Sequence, residues 1–347
     1  MKKSFFLLTL AVTLCTAPVF AGGGKDAAAY MESADAAVKR GDDKRAIADY
    51  TRAIRLDPNN ADAYNSRGLR YAFGGDYERA IADFDQAIRL DPDNADAYYN
   101  RGYAYYYQGG LDNAISDLTQ VIQREPNDED LYYRRGSIYL INWNWDHAIA
   151  DFNQAIQLDP NNADSYFQRG SAFHRKDDYD RAIADFDQAI QLEADNAKAY
   201  SYRGYVYDEK GEYESAIADF DQAIRLNPDN TFIYYYRAMA YYHQGNWDTA
   251  IDDFTQMIRL RPDDEDAYDG RGCAYLGKGE YDRAIADFDQ AIRLDPEFAS
   301  AYVNRGRAYR DIGNFSQARA DVNQALQLEP ESEQAQELSA ELQQRGF

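Results

Sequence analysis

Apolar and small residues recur along the chain at spacings of three and four, in stretches about 13 residues long. In residues 61–94 the first stretch contains Tyr64, Gly68 and Tyr71, and the second extends from Tyr77 to Ile88. Two glycines separate the stretches, and a short Asp-Pro-Asp-Asn segment follows the second one. Glycine and proline in these places interrupt helices. The pattern therefore predicts two antiparallel α-helices joined by a tight turn.

The same pattern is repeated through most of the chain with a period of 34 residues. Ala194 takes the one vacant place in a series of prolines spaced 34 apart: Pro58, Pro92, Pro126, Pro160, Pro228, Pro262, Pro296 and Pro330. Aligned on these prolines, residues 27–332 divide into nine units without spacers: 27–60, 61–94, 95–128, 129–162, 163–196, 197–230, 231–264, 265–298 and 299–332. One helix pair cannot bury its apolar face alone, so stacked pairs must share a continuous core.

The two ends of the chain differ from the repeated units. In residues 1–21, two lysines precede an apolar run, and small residues stand at a possible cleavage point, which is typical of a secretory signal peptide. Residues 22–26 form a short lead, and residues 333–347 are predicted to be a capping helix and tail. Leu14 before Cys15 disfavours a lipoprotein. We therefore expect an exported protein, periplasmic or secreted from a bacterial envelope.

The chain is strongly acidic, with a formal net charge of −23. Nucleic acids and anionic membrane surfaces are disfavoured as partners because both are bound through clustered Lys and Arg. Charge steering would favour a basic partner, although an acidic surface also keeps many proteins soluble. After removal of residues 1–21, Cys273 is the one remaining cysteine, so no internal disulfide can form.

The unit resembles the tetratricopeptide repeat (TPR), which has preferred residues at seven places. Residues 61–94 fill all seven places with Tyr64, Gly68, Tyr71, Ala80, Phe84, Ala87 and Pro92. The resemblance covers residues 27–332. It implies an all-α, right-handed superhelical solenoid of about nine helix-turn-helix repeats with a C-terminal capping helix. It also implies that the first helix of each unit lines a concave groove that binds a peptide or protein.

Small and charged residues also recur at fixed places in the unit. Glycine in the eighth place is predicted to face alanine in the twentieth, where the two helices cross. Arginine occupies the seventh place in eight units: Arg67, Arg101, Arg135, Arg169, Arg203, Arg237, Arg271 and Arg305. Aspartate occupies the twenty-third place in all nine: Asp49, Asp83, Asp117, Asp151, Asp185, Asp219, Asp253, Asp287 and Asp321. These residues either form a ligand ladder or, as we expect, pair between neighbouring helices.

The candidate partner-binding residues are large side chains at places that the resemblance assigns to the groove. They lie in the third, fourth and seventh units: Tyr99, Tyr103, Tyr106, Tyr133, Phe232, Tyr235, Met239 and Tyr242. Aromatic rings supply rigid contact area for a polypeptide. The alternative is that these side chains pack against the next unit.

The carboxylate-clamp type of TPR, which binds the C-terminus of a chaperone, is not supported. It needs Lys and Asn in the fifth and ninth places of one unit, and no unit here has that pair. Aspartate is instead frequent in the second place: Asp62, Asp96, Asp130, Asp164 and Asp266. These carboxylates could attract a basic segment, or they could stabilise the first turn of each helix through the helix dipole.

The mid-unit turn changes in the fourth and fifth units, where Trp143 and Asp177 replace glycine. A tryptophan is not expected to adopt a left-handed backbone conformation. We therefore expect this turn to differ in shape, with Trp143 exposed as a possible contact.

Residues that carry chemistry are scattered. His147, His174 and His243 lie in three different units at different places, so neither a metal site nor a catalytic pair is predicted. No phosphate-binding loop or nucleophile elbow is present, and no cofactor is predicted. The sequence favours an exported interaction scaffold without catalytic activity. The alternatives are a structural spacer of the cell envelope, or a regulatory or accessory subunit of an envelope enzyme or secretion assembly.

Overall fold

The computed structural model describes residues 26–346, which form two compact bodies, 26–124 and 125–346. These residues contain nineteen α-helices and no strand. The predicted signal peptide, residues 1–21, lies outside the described residues, as does all of the predicted lead except Asp26.

The first body contains six helices: α1 Ala27–Lys39, α2 Asp43–Leu56, α3 Ala61–Phe73, α4 Tyr77–Leu90, α5 Ala95–Gln108 and α6 Leu111–Arg124. The second body begins with α7 Glu129–Ile141, α8 Trp145–Leu158, α9 Ala163–His174, α10 Tyr179–Leu192, α11 Ala197–Glu209 and α12 Tyr213–Leu226. It continues with α13 Thr231–His243, α14 Trp247–Leu260, α15 Glu265–Lys278, α16 Tyr281–Leu294, α17 Ala299–Asp311, α18 Phe315–Leu328 and α19 Glu333–Gln344.

Consecutive helices pair into nine hairpins, and within each body every hairpin packs against the next one. Helix α19 packs against α17 and α18, and buries Ala335, Leu338 and Leu342. The predicted fold class, an all-α array of nine helical repeats, is confirmed.

Side-chain caps and left-handed turn residues set the helix ends. The Asn60 side chain accepts a hydrogen bond of 2.9 Å from the backbone N–H of Ala63, and Asn94 caps α5 in the same way. Such caps satisfy donors that the first turn of a helix leaves unpaired. Gly75, in the turn after α3, has a φ of 80°, the left-handed conformation that glycine adopts without strain.

The turn at Trp143 corrects one prediction. Trp143 has a φ of 60° and Asp177 a φ of 57°, so both adopt the left-handed conformation of the glycines that they replace. The Asn144 N–H donates to the Tyr139 carbonyl at 2.9 Å, which matches the turn that Gly75 forms in the second unit. The turn therefore keeps the shape that it has in the other hairpins. The Trp143 ring causes no clash because it points to solvent, where it is 75% exposed.

The helix crossing is built around a buried phenylalanine in the twenty-fourth place. A Cβ on Gly68 would come within 2.8 Å of the Phe84 ring and 3.1 Å of the Ala80 carbonyl oxygen. The glycine therefore makes room for the Phe84 ring and for the backbone of α4. Gly68 in the eighth place thus faces the backbone of Ala80 in the twentieth place, as predicted. The Phe84 ring lies closer to Gly68 than Ala80 does.

The recurrent arginines pair with the recurrent aspartates, as predicted. Arg67 donates from Nε and Nη2 to the two oxygens of Asp83, at 2.8 and 2.7 Å. Its remaining Nη1 donates to Thr51 on the preceding hairpin at 3.1 Å. The aspartates are buried, and a buried carboxylate needs such a partner. The same two-sided pairing recurs in the second body, for example at Arg305.

Candidate functional site

The first helices of the fifth to seventh units form a groove of about 480 Å³ in the second body. We call it the aromatic groove, and it is lined by His174, Arg175, Lys198, Tyr202, Tyr205, Phe232 and Tyr236, among others. One predicted site residue, Phe232, lies in it.

Two rings of the aromatic groove are left largely uncovered. Phe232 is 65% exposed and Tyr202 is 44% exposed. Beneath them, Tyr205 and Tyr236 stack edge to face at 4.9 Å between ring centroids, and Tyr202 meets Phe167 in the same way at 5.0 Å. The stacked rings give a rigid floor, and the exposed ones offer apolar area to a ligand.

Several cationic or ionisable side chains line the aromatic groove or lie beside it. Arg175 and Lys198 line it, and His174 Nε2 lies 2.7 Å from a carboxylate oxygen of Glu209. Burial, with the hydrogen bond to Glu209, raises the pKa of Tyr205 to about 12. Lys198 stands at the second place of its unit, where five other units have aspartate. The acidic character predicted from those aspartates therefore does not extend to this groove.

A second, smaller cavity of about 160 Å³ lies between α13 and α15. We call it the acidic pocket, and its walls are Tyr235, Met239, Tyr242, Asp266, Asp269, Gly270 and Cys273. Three of the predicted site residues thus meet here. Asp269 accepts from the Asn304 side-chain amide at 3.1 and 3.2 Å. Burial raises the pKa of Asp269 to about 6 and that of the Cys273 thiol well above its usual value.

The acidic pocket arises from a local change in the repeat. Ala238 replaces the glycine over which the phenylalanine ring normally lies. A Cβ on Gly270 would come within 2.4 Å of the Phe254 ring, so this ring packs against the next unit. The sixth place, where Gly270 stands, elsewhere carries a larger side chain, in Ser66, Asn100, Arg134, Gln168, Tyr202, Tyr236 and Asn304. Gly270 thus gives space both to Phe254 and to the pocket.

The predicted tyrosines of the third unit pack together in the first body. The Tyr107 ring has its centroid 4.6 Å from that of Tyr103, 5.2 Å from Tyr106 and 5.8 Å from Tyr77. All of these rings and Tyr99 are half-buried. Their position accords with the alternative interpretation, that aromatic residues here fill space between units.

Tyr133 in the fourth unit is also half-buried. Its ring centroid lies 6.1 Å from that of Phe152 in the same hairpin, and burial raises the pKa of its hydroxyl. Tyr133 therefore contributes to the hairpin core as well as to its surface.

The ring-bearing residues of the aromatic groove that were not predicted as site residues are His174, Tyr202, Tyr205 and Tyr236. Tyr202 and Tyr236 occupy the sixth place of consecutive units, whereas the resemblance assigns the second, fifth, ninth, twelfth and thirteenth places to the groove. Two large aromatic residues at one place in adjacent units were the signal that could have identified them. Tyr205 lies at an assigned place, in a unit that was not singled out.

Within the described part of the chain, no three His, Cys, Asp or Glu side chains are placed to hold a metal ion. In the same residues, no helix is both long enough and apolar enough to cross a membrane.

Stacked helical hairpins linked by arginine–aspartate pairs define a helical repeat protein. Family models for the TPR repeat match residues 34–72, 68–109 and 144–177. Models for the tetratricopeptide repeat match residues 95–128, 167–231, 204–269 and 270–335. The chain belongs to the tetratricopeptide repeat family, whose fold is typical of scaffolds for protein–protein interaction.

Several solved structures are similar to the chain. PilF of Pseudomonas aeruginosa aligns with a TM-score of 0.52 and 20% identity over 63% of this chain and 99% of its own. The Cut9–Hcn1 hetero-tetramer of the APC/C aligns with a TM-score of 0.53 and 16% identity over 94% of this chain and 78% of its own. At these identities the likeness shows the fold.

A third structure, YrrB, is described as a TPR protein with an unusual peptide-binding site. It has a TM-score of 0.45 and 25% identity over 54% of this chain and 96% of its own. No curated protein matches the chain.

Proposed function

We propose that the chain is an exported scaffold that binds an extended segment of a partner protein on its first helices and has no catalytic step of its own. The observation that carries this proposal is the aromatic groove, with Phe232 at 65% and Tyr202 at 44% exposure. Export rests on the signal-peptide pattern of residues 1–21.

The exposure of these two rings contrasts with the burial of the core phenylalanine of the repeat. The phenylalanine of the twenty-fourth place is fully buried in six units, as Phe254 illustrates. Phe232 belongs to the same unit but is held outside the core, where it meets the Arg261 guanidinium at 5.7 Å. An exposed apolar patch with a polar rim is a common feature of interaction sites.

The groove offers a partner both apolar area and charge. A bulky apolar side chain can lie against Phe232 and Tyr202, on the floor formed by Tyr205 and Tyr236. Lys198 at the edge can hold a carbonyl or carboxylate of the same segment. Rigid aromatic contacts of this kind supply much of the binding energy in many interfaces.

Site-specific photo-crosslinking tests this proposal. A photoreactive phenylalanine analogue is introduced at Phe232, and the full chain is irradiated in an envelope extract of the source organism. We expect discrete adducts, which mass spectrometry identifies. The analogue placed at Tyr202 instead should give adducts with the same partner.

The matched control places the analogue at Ile312, which is 45% exposed but lies in the turn after α17. A binding groove predicts few adducts from that position. Equal yields of the same adducts from 232 and 312 would contradict the groove. The absence of adducts at 202 and 232 would favour a structural spacer.

A further inference from the structure

We infer that the acidic pocket binds the side chain of a lysine from the partner, with the ammonium group against Asp269 and the methylene stem between Tyr235, Met239 and Tyr242. This inference deepens the proposed function and rests on it, because it names one residue that the bound segment must supply.

Asp269 is a carboxylate that lacks a cation. Within residues 26–346, no Lys, Arg or His nitrogen lies at ion-pair distance from Asp269, and its one side-chain hydrogen bond comes from Asn304. The buried aspartates of the repeat each have a guanidinium partner, as Asp287 has in Arg271. Asp269 therefore differs from Asp287 of the same unit, which is paired with an arginine.

The fold does not need a charge at this place. In the first body, Asn65 stands at the same place as Asp269 and accepts from Asn100, which stands at the place of Asn304, at 3.1 Å. A neutral amide pair thus makes the same contact between adjacent hairpins. The negative charge of Asp269 adds an electrostatic cost, which a bound cation would remove.

The geometry at Asp269 suits an ammonium better than a guanidinium. The Asn304 nitrogen lies 3.1 and 3.2 Å from the two carboxylate oxygens and so occupies the edge between them. A guanidinium needs that edge for its paired donors, whereas an ammonium is a compact donor that can use one outer lone pair. The cavity of about 160 Å³ is also small, which favours the narrower side chain.

The remaining walls fit the rest of a lysine side chain. Tyr235 and Tyr242 present aromatic surface, which attracts cations, and Met239 presents a flexible apolar one. Asp266 at the rim adds a second negative charge. The cation whose charge acts on Asp269 is Arg307, which donates instead to the side-chain oxygen of Asn304 at 3.3 Å.

The test uses short probes and the full chain labelled with ¹³C at its methionine methyl groups. The sequence has four methionines; Met239 lines the pocket, while Met31 lies in the first body. The probes are the capped tripeptides Gly-Lys-Gly, Gly-(acetyl-lysine)-Gly and Gly-norleucine-Gly. We expect Gly-Lys-Gly to shift the Met239 methyl signal saturably, with a Kd on the order of 1–10 mM, and to leave the Met31 signal in place.

Two variants change the charge in opposite directions. Asp269→Asn reproduces the neutral pair of Asn65 and Asn100, so the hairpin contact is kept, and we expect it to weaken Gly-Lys-Gly binding at least about tenfold. Arg307→Gln removes the competing cation and should strengthen binding. The Met257 signal, from the core beside the pocket, reports whether either variant has disturbed the fold.

The inference fails if the acetyl-lysine or norleucine probe shifts Met239 as strongly as the lysine probe does, or if Asp269→Asn binds lysine unchanged. It also fails if Gly-Lys-Gly leaves Met239 unshifted at concentrations of about 50 mM. Loss of the lysine response together with intact crosslinking at Phe232 would remove this inference alone. A lysine response without crosslinking would count against the proposed function instead.

Discussion

The aromatic groove and the acidic pocket share helix α13 as a wall, yet they offer a ligand opposite charges. Arg175 and Lys198 line the groove, whereas Asp266 and Asp269 line the pocket. The hairpins that carry them share the same arginine–aspartate pairing, as at Arg203 and Arg271. The comparison teaches that the core places of the repeat specify the fold, while its surface places are free to specify binding.

The two cavities also differ in their origin. The groove is formed by two large aromatic side chains, since Tyr202 and Tyr236 occupy the sixth place, which carries no aromatic residue in the other units. The pocket is formed by the absence of a side chain, because glycine, Gly270, occupies that same place. One place in the repeat therefore accounts for both cavities.

Among substitutions of the residues that line the two cavities, the largest effect on stability is expected from adding a side chain at Gly270 in the acidic pocket. Gly270→Ala places a Cβ within 2.4 Å of the Phe254 ring, so we expect a loss of about 1–3 kcal/mol in the free energy of unfolding. Gly306→Ala is the matched control, since its Cβ would be 3.4 Å from the nearest atoms. Urea denaturation of both variants measures the difference.

A second variant, Ala238→Gly, sharpens this test. It reopens the usual site for the ring of Phe254 and should recover much of the stability lost in Gly270→Ala. Additive effects of the two substitutions would show that the ring is not coupled to both places.

A smaller and pH-dependent effect is expected for Asp269→Asn. The pKa of Asp269 is raised from 3.8 to about 6, so its ionisation opposes folding. The stability associated with the protonated carboxyl is present below pH 3.8 and is lost as the pH rises through about 6. The variant should therefore match its parent near pH 4 and exceed it at pH 8 by about 1–2 kcal/mol, after allowance for solvent screening.

Thermal melts of parent and variant at several pH values measure this difference. A variant that is less stable than its parent at pH 8 would show that the ionised Asp269 stabilises the fold. An equal difference in stability at every pH would show that the ionisation of Asp269 is not its cause.

The smallest effect on stability is expected in the aromatic groove. Phe232→Ala removes a ring that is 65% exposed, so the free energy of unfolding should change by no more than about 0.5 kcal/mol. Phe254→Ala, in the same unit but fully buried, should cost about 3–5 kcal/mol. Denaturant melts compare the two. Similar losses would mean that Phe232 belongs to the core and not to a binding surface.

Much of the fold could be predicted because its causes are local and repeated. The spacing of Tyr64, Gly68 and Tyr71 implies a helix, Gly75 ends it, and Arg67 pairs with Asp83 in the predicted manner. Each inference was supported by the same residues in other units. The recurrence of the same residues in several units therefore supported predictions that the sequence of one hairpin could not have supported alone.

Features that depart from the common pattern of the repeat were harder to predict. The left-handed Trp143 was excluded by backbone preference, but the hydrogen bonds of the turn outweigh that preference. The position of the Phe254 ring depends on Ala238 and Gly270 together, two places that lie in different units. The altered pKa of Asp269 follows from packing, which a linear pattern does not contain.

The arginine pairs carry a consequence for folding kinetics. Arg67 donates to Asp83, 16 residues ahead, and to Thr51, 16 residues behind, so it joins neighbouring hairpins without any contact between distant parts of the chain. Chains dominated by such short-range contacts lose little entropy in closing loops and fold quickly for their length. Folding can then begin at any hairpin and extend in both directions.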